Sequence, residues 1–230
     1  MNHARPLIAL ARLLEYPEAD VRDHARELLD VLGDGESRDE GQGLESLRAL
    51  GEHLQRTDLL DLQTEYVETF DRGRSTSLNL YEHLYGDARG RGPAMAELAA
   101  QYERAGLVLT ARQLPDYLPA FLEYASTLSG PDAGAALRRV AVALGKIAQA
   151  LERRRSPWLA AIVAALRLAG VRHWRSSVEP PPGALAEPAP PDWAPDALDA
   201  AWTEQPIQFL GAEDPCAVAG RRRGSAVRGG

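Results

Sequence analysis

The chain has 230 residues with 26 Lys plus Arg against 33 Asp plus Glu, a net charge of −7 and one cysteine, Cys216. That balance argues against a nucleic-acid binder, which would show a basic face. A single thiol excludes an internal disulfide and any cysteine-based zinc or iron–sulfur cage.

No secretory signal is read at the N-terminus, which lacks an uninterrupted apolar segment and a small-residue cleavage site. Helical periods then follow one another. Leu7, Ile8, Leu10, Ala11, Leu13 and Leu14 share a helical period that stops at Tyr16-Pro17, because a residue before proline avoids the α region. A second helix is expected from about Glu18 to Leu32, ended by Gly33-Asp34-Gly35. The third carries Leu44, Leu47, Leu50 and Leu54. Thr57 or Asp58 then caps a fourth that runs through Leu59, Leu62, Tyr66 and Phe70. Residues 71–91 mix polar, aromatic and charged side chains with no apolar stripe, and read as a crossover between two helical halves.

A helix from about Pro93 to Arg104 ends at Gly106. Leu114-Pro115-Asp116 opens the next, which Gly130-Pro131 closes. Asp132 is expected to cap one long helix carrying Leu137, Val140, Leu144, Ile147 and Leu151. Ser156-Pro157 supplies an N-cap and a first-turn proline for a last helix to about Ala169. The longest purely apolar run, Trp158 to Leu166, has nine residues, whereas a membrane-spanning helix needs about 18 or more. Strand signals are nearly absent. The expected fold is therefore all-α: one helical bundle over residues 1–175, followed by a tail.

From Ser176 to Gly220 there are eight acidic residues, no basic ones and nine prolines. Such a segment cannot build its own core. Within the tail 176–230, Trp202, Ile207 and Phe209 mark 201–209 as a segment that docks on the globule or on a partner. The Arg/Gly-rich end from Arg221 is expected to be disordered.

Catalytic machinery is thin. There is no Gly-x-Ser-x-Gly elbow. Lys146 is the only lysine and has no phosphate-loop surroundings. His83 and Asp87, four apart on a helix face, are a possible two-ligand start for a metal-dependent enzyme, or simply a hydrogen-bonded pair; the commonest sites need three or four ligands. Asp71 falls at a helix C-terminus, where the macrodipole disfavours an anion. It calls for a cationic partner, and Arg72, Arg74, Arg89 and Arg91 follow within twenty residues. Such Asp–Arg pairing is either a structural lock or the polar lining of a peptide groove. The lock is favoured, since most buried ion pairs are structural.

Several blocks are more specific: Tyr66-x-x-x-Phe70-Asp71, Ser77-Leu78-x-Leu80, Gly86-Asp87-x-Arg89-x-Arg91-Gly92, and Leu114-Pro115-Asp116-Tyr117-Leu118-Pro119 with Leu122-Glu123-Tyr124. With Leu13-Leu14-x-Tyr16-Pro17 and Trp202-x-Glu204-x-Pro206-Ile207-x-Phe209, they resemble the delta-subunit family of respiratory nitrate reductase, the NarJ-type molybdenum cofactor assembly chaperones. The likeness spans nearly the whole chain.

This resemblance implies a cytoplasmic all-α chaperone with no catalytic site and no cofactor of its own. It implies binding of the apo catalytic (alpha) subunit of nitrate reductase through that subunit's N-terminal segment, a twin-arginine-like helix. The client is held open for molybdenum cofactor insertion before membrane attachment, and cofactor delivery proteins are possible further partners. A chaperone for another molybdoenzyme, of the dimethyl sulfoxide or trimethylamine oxide reductase type, is the alternative. On this reading the peptide meets Asp87, Arg91, Asp116, Tyr117, Phe121, Glu123 and Tyr124, while Asp71, Arg72 and Arg89 form an internal lock.

Overall fold

A computed structural model describes residues 4–33, 41–85, 90–110 and 113–175, all within one compact unit. Asp87, Arg89, Cys216 and the tail 176–230 with its 201–209 segment lie outside the described residues.

The described chain is all-α. Eleven helices follow in order: α1 (Ala4–Leu14), α2 (Ala19–Asp23), α3 (Ala25–Gly33), α4 (Gly41–Arg56), α5 (Leu59–Tyr66), α6 (Leu80–Tyr85), α7 (Arg91–Arg104), α8 (Leu118–Thr127), α9 (Gly130–Arg139), α10 (Ala141–Arg154) and α11 (Leu159–Leu168). The only β pairing among the described residues is one antiparallel bridge, Asn79 with Tyr117.

Helix α1 is buried on most of its circumference, through Leu7, Ala9, Leu10, Ala11, Leu13 and Leu14. It packs chiefly against α8 and α3, and also against α11. Helix α11 is likewise apolar on most sides, burying Ala160, Ala161, Ile162, Ala164, Ala165 and Leu166. Both therefore lie inside the bundle, as their composition dictates. The core closes around Trp158, 1 % exposed. His53, Tyr66 and Phe70 stand edge-on to its indole, with ring centroids 6.0, 6.1 and 5.7 Å away.

Several boundaries differ from the sequence expectation. The helix expected over 18–32 breaks at His24, giving α2 and α3. Asp58 is the N-cap of α5 and accepts from Leu60 N–H at 2.9 Å. Gly130-Pro131 does not close α8; it opens α9, whose N-cap is Ser129 rather than Asp132. Proline is pre-shaped for a first helical turn, and here it begins a helix. The long helix expected after Asp132 bends at Val140 (φ −104°), dividing α9 from α10. Ser156 does not cap α11: its hydroxyl is buried without a hydrogen-bond partner among the described residues, and the helix begins after a turn at Leu159. Leu118, not Leu114, begins α8, with Pro119 in its first turn.

Among the described residues, one non-glycine side chain sits on a strained backbone. Arg155 ends α10 in the left-handed region, at φ 53° and ψ 35°. A side chain there crowds the following carbonyl. Arg155→Gly is expected to raise stability by about 0.5–1 kcal/mol in urea denaturation, since glycine carries no such penalty at a helix end. Trp158→Ala is expected to cost about 3–5 kcal/mol in the same measurement, because the surrounding aromatic rings cannot close the cavity.

Candidate functional site

The residues 77–80 and 115–118 meet backbone to backbone. Leu80 N–H donates to the Asp116 carbonyl at 2.9 Å, and Leu118 N–H to the Leu78 carbonyl at 2.9 Å. These two bonds flank the Asn79–Tyr117 pair, the widely spaced arrangement of an antiparallel ladder. The Tyr102 hydroxyl donates to the Pro115 carbonyl at 2.7 Å and ties α7 to the junction.

Asp116 sits at the centre and is fully buried, 0 % exposed. Its Oδ2 accepts from Tyr81 N–H at 3.0 Å, in the first turn of α6. The Arg91 guanidinium stands 3.7 Å from Oδ2 and 3.5 Å from Glu82 Oε1. Burial pushes the Asp116 carboxyl above its usual range; the Tyr81 amide and Arg91 oppose that rise. Asp116 Oδ1 and Arg91 Nε are buried with no hydrogen-bond partner among the described residues. The His83 ring donates from Nε2 to the Ser77 carbonyl at 2.8 Å, and burial lowers its pKa. Lys146 Nζ, on α10, donates to the His83 carbonyl at 2.9 Å.

Two clefts flank this junction. The first, of about 270 Å³, is lined by Tyr66, Phe70, Asp71, Gly73, Arg74, Ser77, Leu78, Asn79, Glu82 and Tyr117. The Tyr66 hydroxyl donates to the Leu14 carbonyl at 2.8 Å and lies 3.2 Å from the Tyr117 hydroxyl. Burial raises both phenol pKa values. The second cleft, of about 310 Å³, lies among Tyr81, Leu98, Gln101, Phe121, Tyr124 and Arg139. The two are neighbours: Tyr81 and Glu82 are consecutive, and Phe121 N–H bonds the Tyr117 carbonyl one turn away.

The expected site residues are thus divided. Tyr117 lines the first cleft, and Phe121 and Tyr124 line the second. Glu123 is exposed on α8, near enough to raise the Glu15 pKa, after burial the main cause of that rise with charge of like sign. Arg91 and Asp116 are brought together as an ion pair. Of the expected lock, Asp71 and Arg72 are both exposed and Arg89 lies outside the described residues; the buried carboxylate among the described residues is Asp116. Asp116 tolerates burial because Tyr81 N–H and Arg91 meet it there, whereas Asp71 ends a helical turn that opens onto a cleft. Sequence reasoning missed Tyr81, Glu82 and Lys146 as parts of the site. Glu82 and Arg91 are nine apart with no helical phase between them, so no periodic signal pairs them.

Among the described residues no group of three or more His, Cys, Asp or Glu is placed to hold a metal ion, and no helix is long and apolar enough to cross a membrane.

Tyr81, Arg91 and the other partners of Asp116 named above fall inside residues 18–164, which match the family of the nitrate reductase delta subunit. The chain belongs to that family. Its relatives include the nitrate reductase molybdenum cofactor assembly chaperone NarJ of Escherichia coli K12, 37% identical over 94% of this chain and 91% of that protein. The probable chaperone NarW of the same organism is 42% identical over 69% of this chain and 67% of its own length. A probable NarJ of Bacillus subtilis is 30% identical over 71% of this chain and 89% of its own length. The family match runs from the entry to α2 through most of α11, so it contains both clefts.

The raised Asp116 pKa has a pH consequence. Above the ordinary value of 3.8 the folded chain holds a proton that the unfolded chain has released. Stability from this group is therefore complete below 3.8 and is lost as pH rises through the folded-state value. Asp116→Asn, which keeps an acceptor for Tyr81 N–H, is expected to remove that decline. Urea midpoints of both proteins across the acid range provide the check; parallel profiles would contradict the assignment.

Proposed function

We propose that this chain is a molybdenum cofactor assembly chaperone for respiratory nitrate reductase. It acts in the cytoplasm on the apo catalytic (alpha) subunit, binds that subunit's N-terminal segment, and keeps it competent for cofactor insertion before membrane attachment. Cofactor delivery proteins are further proposed partners. The observation that carries this reading is the likeness to a protein of that name over 94% of the chain.

The two clefts support a peptide client. The first offers the carboxylates Asp71 and Glu82, the latter shared with Arg91, beside Arg74 and the rings of Phe70 and Tyr117. A cationic side chain with an apolar stem fits such a wall, since guanidinium and ammonium groups pair with carboxylates and stack on aromatic faces. The second offers Tyr81, Leu98, Phe121 and Tyr124 to an apolar side chain. Neighbouring clefts of these two kinds suit an amphipathic segment carrying basic residues. Glu123, exposed on α8, and Asp87, which lies outside the described residues, are kept as proposed peptide contacts. Asp116 and Arg91 hold the wall rather than meet the peptide.

The direct test is co-purification with the nitrate reductase catalytic subunit, intact and lacking its first few dozen residues. Retention of the intact subunit and loss of the truncated one is expected; equal retention of both would remove the N-terminal segment from the proposal. In calorimetric titration with a synthetic N-terminal peptide, Glu82→Gln is expected to weaken binding about tenfold at low salt and less at high salt, where charge pairing is screened.

A further inference from the structure

The turn that supplies Phe70 and Asp71 to the first cleft is π-helical, Val67–Asp71, with Arg72 N–H reaching back five residues to the Val67 carbonyl at 3.0 Å. Turns of this kind recur at functional sites. Glu68 and Thr69 carbonyls belong to the C-terminal end of a helix, where the chain's own amides run out. A distant side chain takes both: Arg154 Nη1 donates to the Glu68 carbonyl at 3.2 Å and to the Thr69 carbonyl at 3.4 Å. The Thr76 hydroxyl also donates to the Thr69 carbonyl. Gly73 lies against the same guanidinium, and a Cβ there would stand 2.6 Å from Arg154 Nη2. A cation at this helix end is also favoured by the macrodipole. Arg154 is itself exposed and is not among the cleft's lining residues, so its loss removes no core packing.

We propose that Arg154 is the positioning residue of the client cleft. By clamping the π-helical turn from α10, it holds Asp71 and Phe70 in register with Glu82 and Tyr117, and so sets the fit to a cationic client side chain. This rests on the client-binding reading above.

The test titrates the full chain with the N-terminal client peptide, comparing wild type, Arg154→Ala, Gly73→Ala and the double variant. Each single variant is expected to weaken binding about tenfold. The double variant is expected to be no weaker than either, because both disturb one clamp. A peptide with its basic residues changed to glutamine is expected to bind all four proteins alike, which a general loss of structure would not produce. Wild-type affinity in Arg154→Ala, or additive losses in the double variant, would overturn the proposal. Amide exchange at 70–76 gives a readout independent of the client: faster exchange confined to this turn in Arg154→Ala is expected, and unchanged exchange overturns the clamp. If the wild type binds no peptide while exchange responds as expected, the client reading has failed and the clamp has not.

Discussion

A carboxylate taken out of water must be compensated or neutralised, and the junction around Asp116 is built to meet that demand. The Tyr81 amide and the Arg91 guanidinium come from two different segments and both approach Asp116 Oδ2. Tyr81 belongs to the first turn of α6, so the carboxylate also completes that short helix from outside. Arg91 begins α7, and Tyr102 on α7 returns to the Pro115 carbonyl. Asp116 thus ties together α6, α7 and the entry to α8, beside the core residues Leu80, Tyr102 and Leu118.

The two clefts follow from this arrangement. The Asn79–Tyr117 bridge draws the 77–80 segment against the start of α8, which leaves Glu82 and Tyr117 facing one side and Tyr81 and Phe121 the other. Support comes from behind. Lys146 and Arg154, both on α10, donate to backbone carbonyls of His83 and of the 68–69 turn. The helix that contributes Leu144, Ile147 and Leu151 to the core therefore also braces the irregular segment at both ends. The result is two clefts held side by side on one braced junction.

Much of the bundle was legible from residue order. The stripe of Leu7, Leu10 and Leu14 and the run from Trp158 to Leu166 announced two buried helices, and both are buried. Gly106 was read as a helix stop and adopts a positive φ of 78°. The misreadings cluster where two signals compete. Gly130-Pro131 serves equally as a stop or a start, and the hydrogen-bonding of Ser129 decided for a start. Of the acidic residues in the informative blocks, Asp71 was expected to be buried and Asp116 to meet the peptide. Their burial is the reverse, because the exposure of a carboxylate depends on which amides and guanidinium groups arrive beside it.

Residue order by itself determined the fold class, the positions of most helices and the family, because helical periods, caps and compact motif blocks are local properties of the chain. It also brought the right segments forward, 66–91 and 114–124. Only the tertiary structure decided that these segments touch through two backbone bonds, that Asp116 rather than Asp71 carries the buried charge, and that Arg154 reaches across 86 positions to close a helix end. Those contacts join residues far apart in the chain, and no periodicity or spacing encodes them. They arise when packing of the apolar faces brings the polar groups within hydrogen-bonding distance.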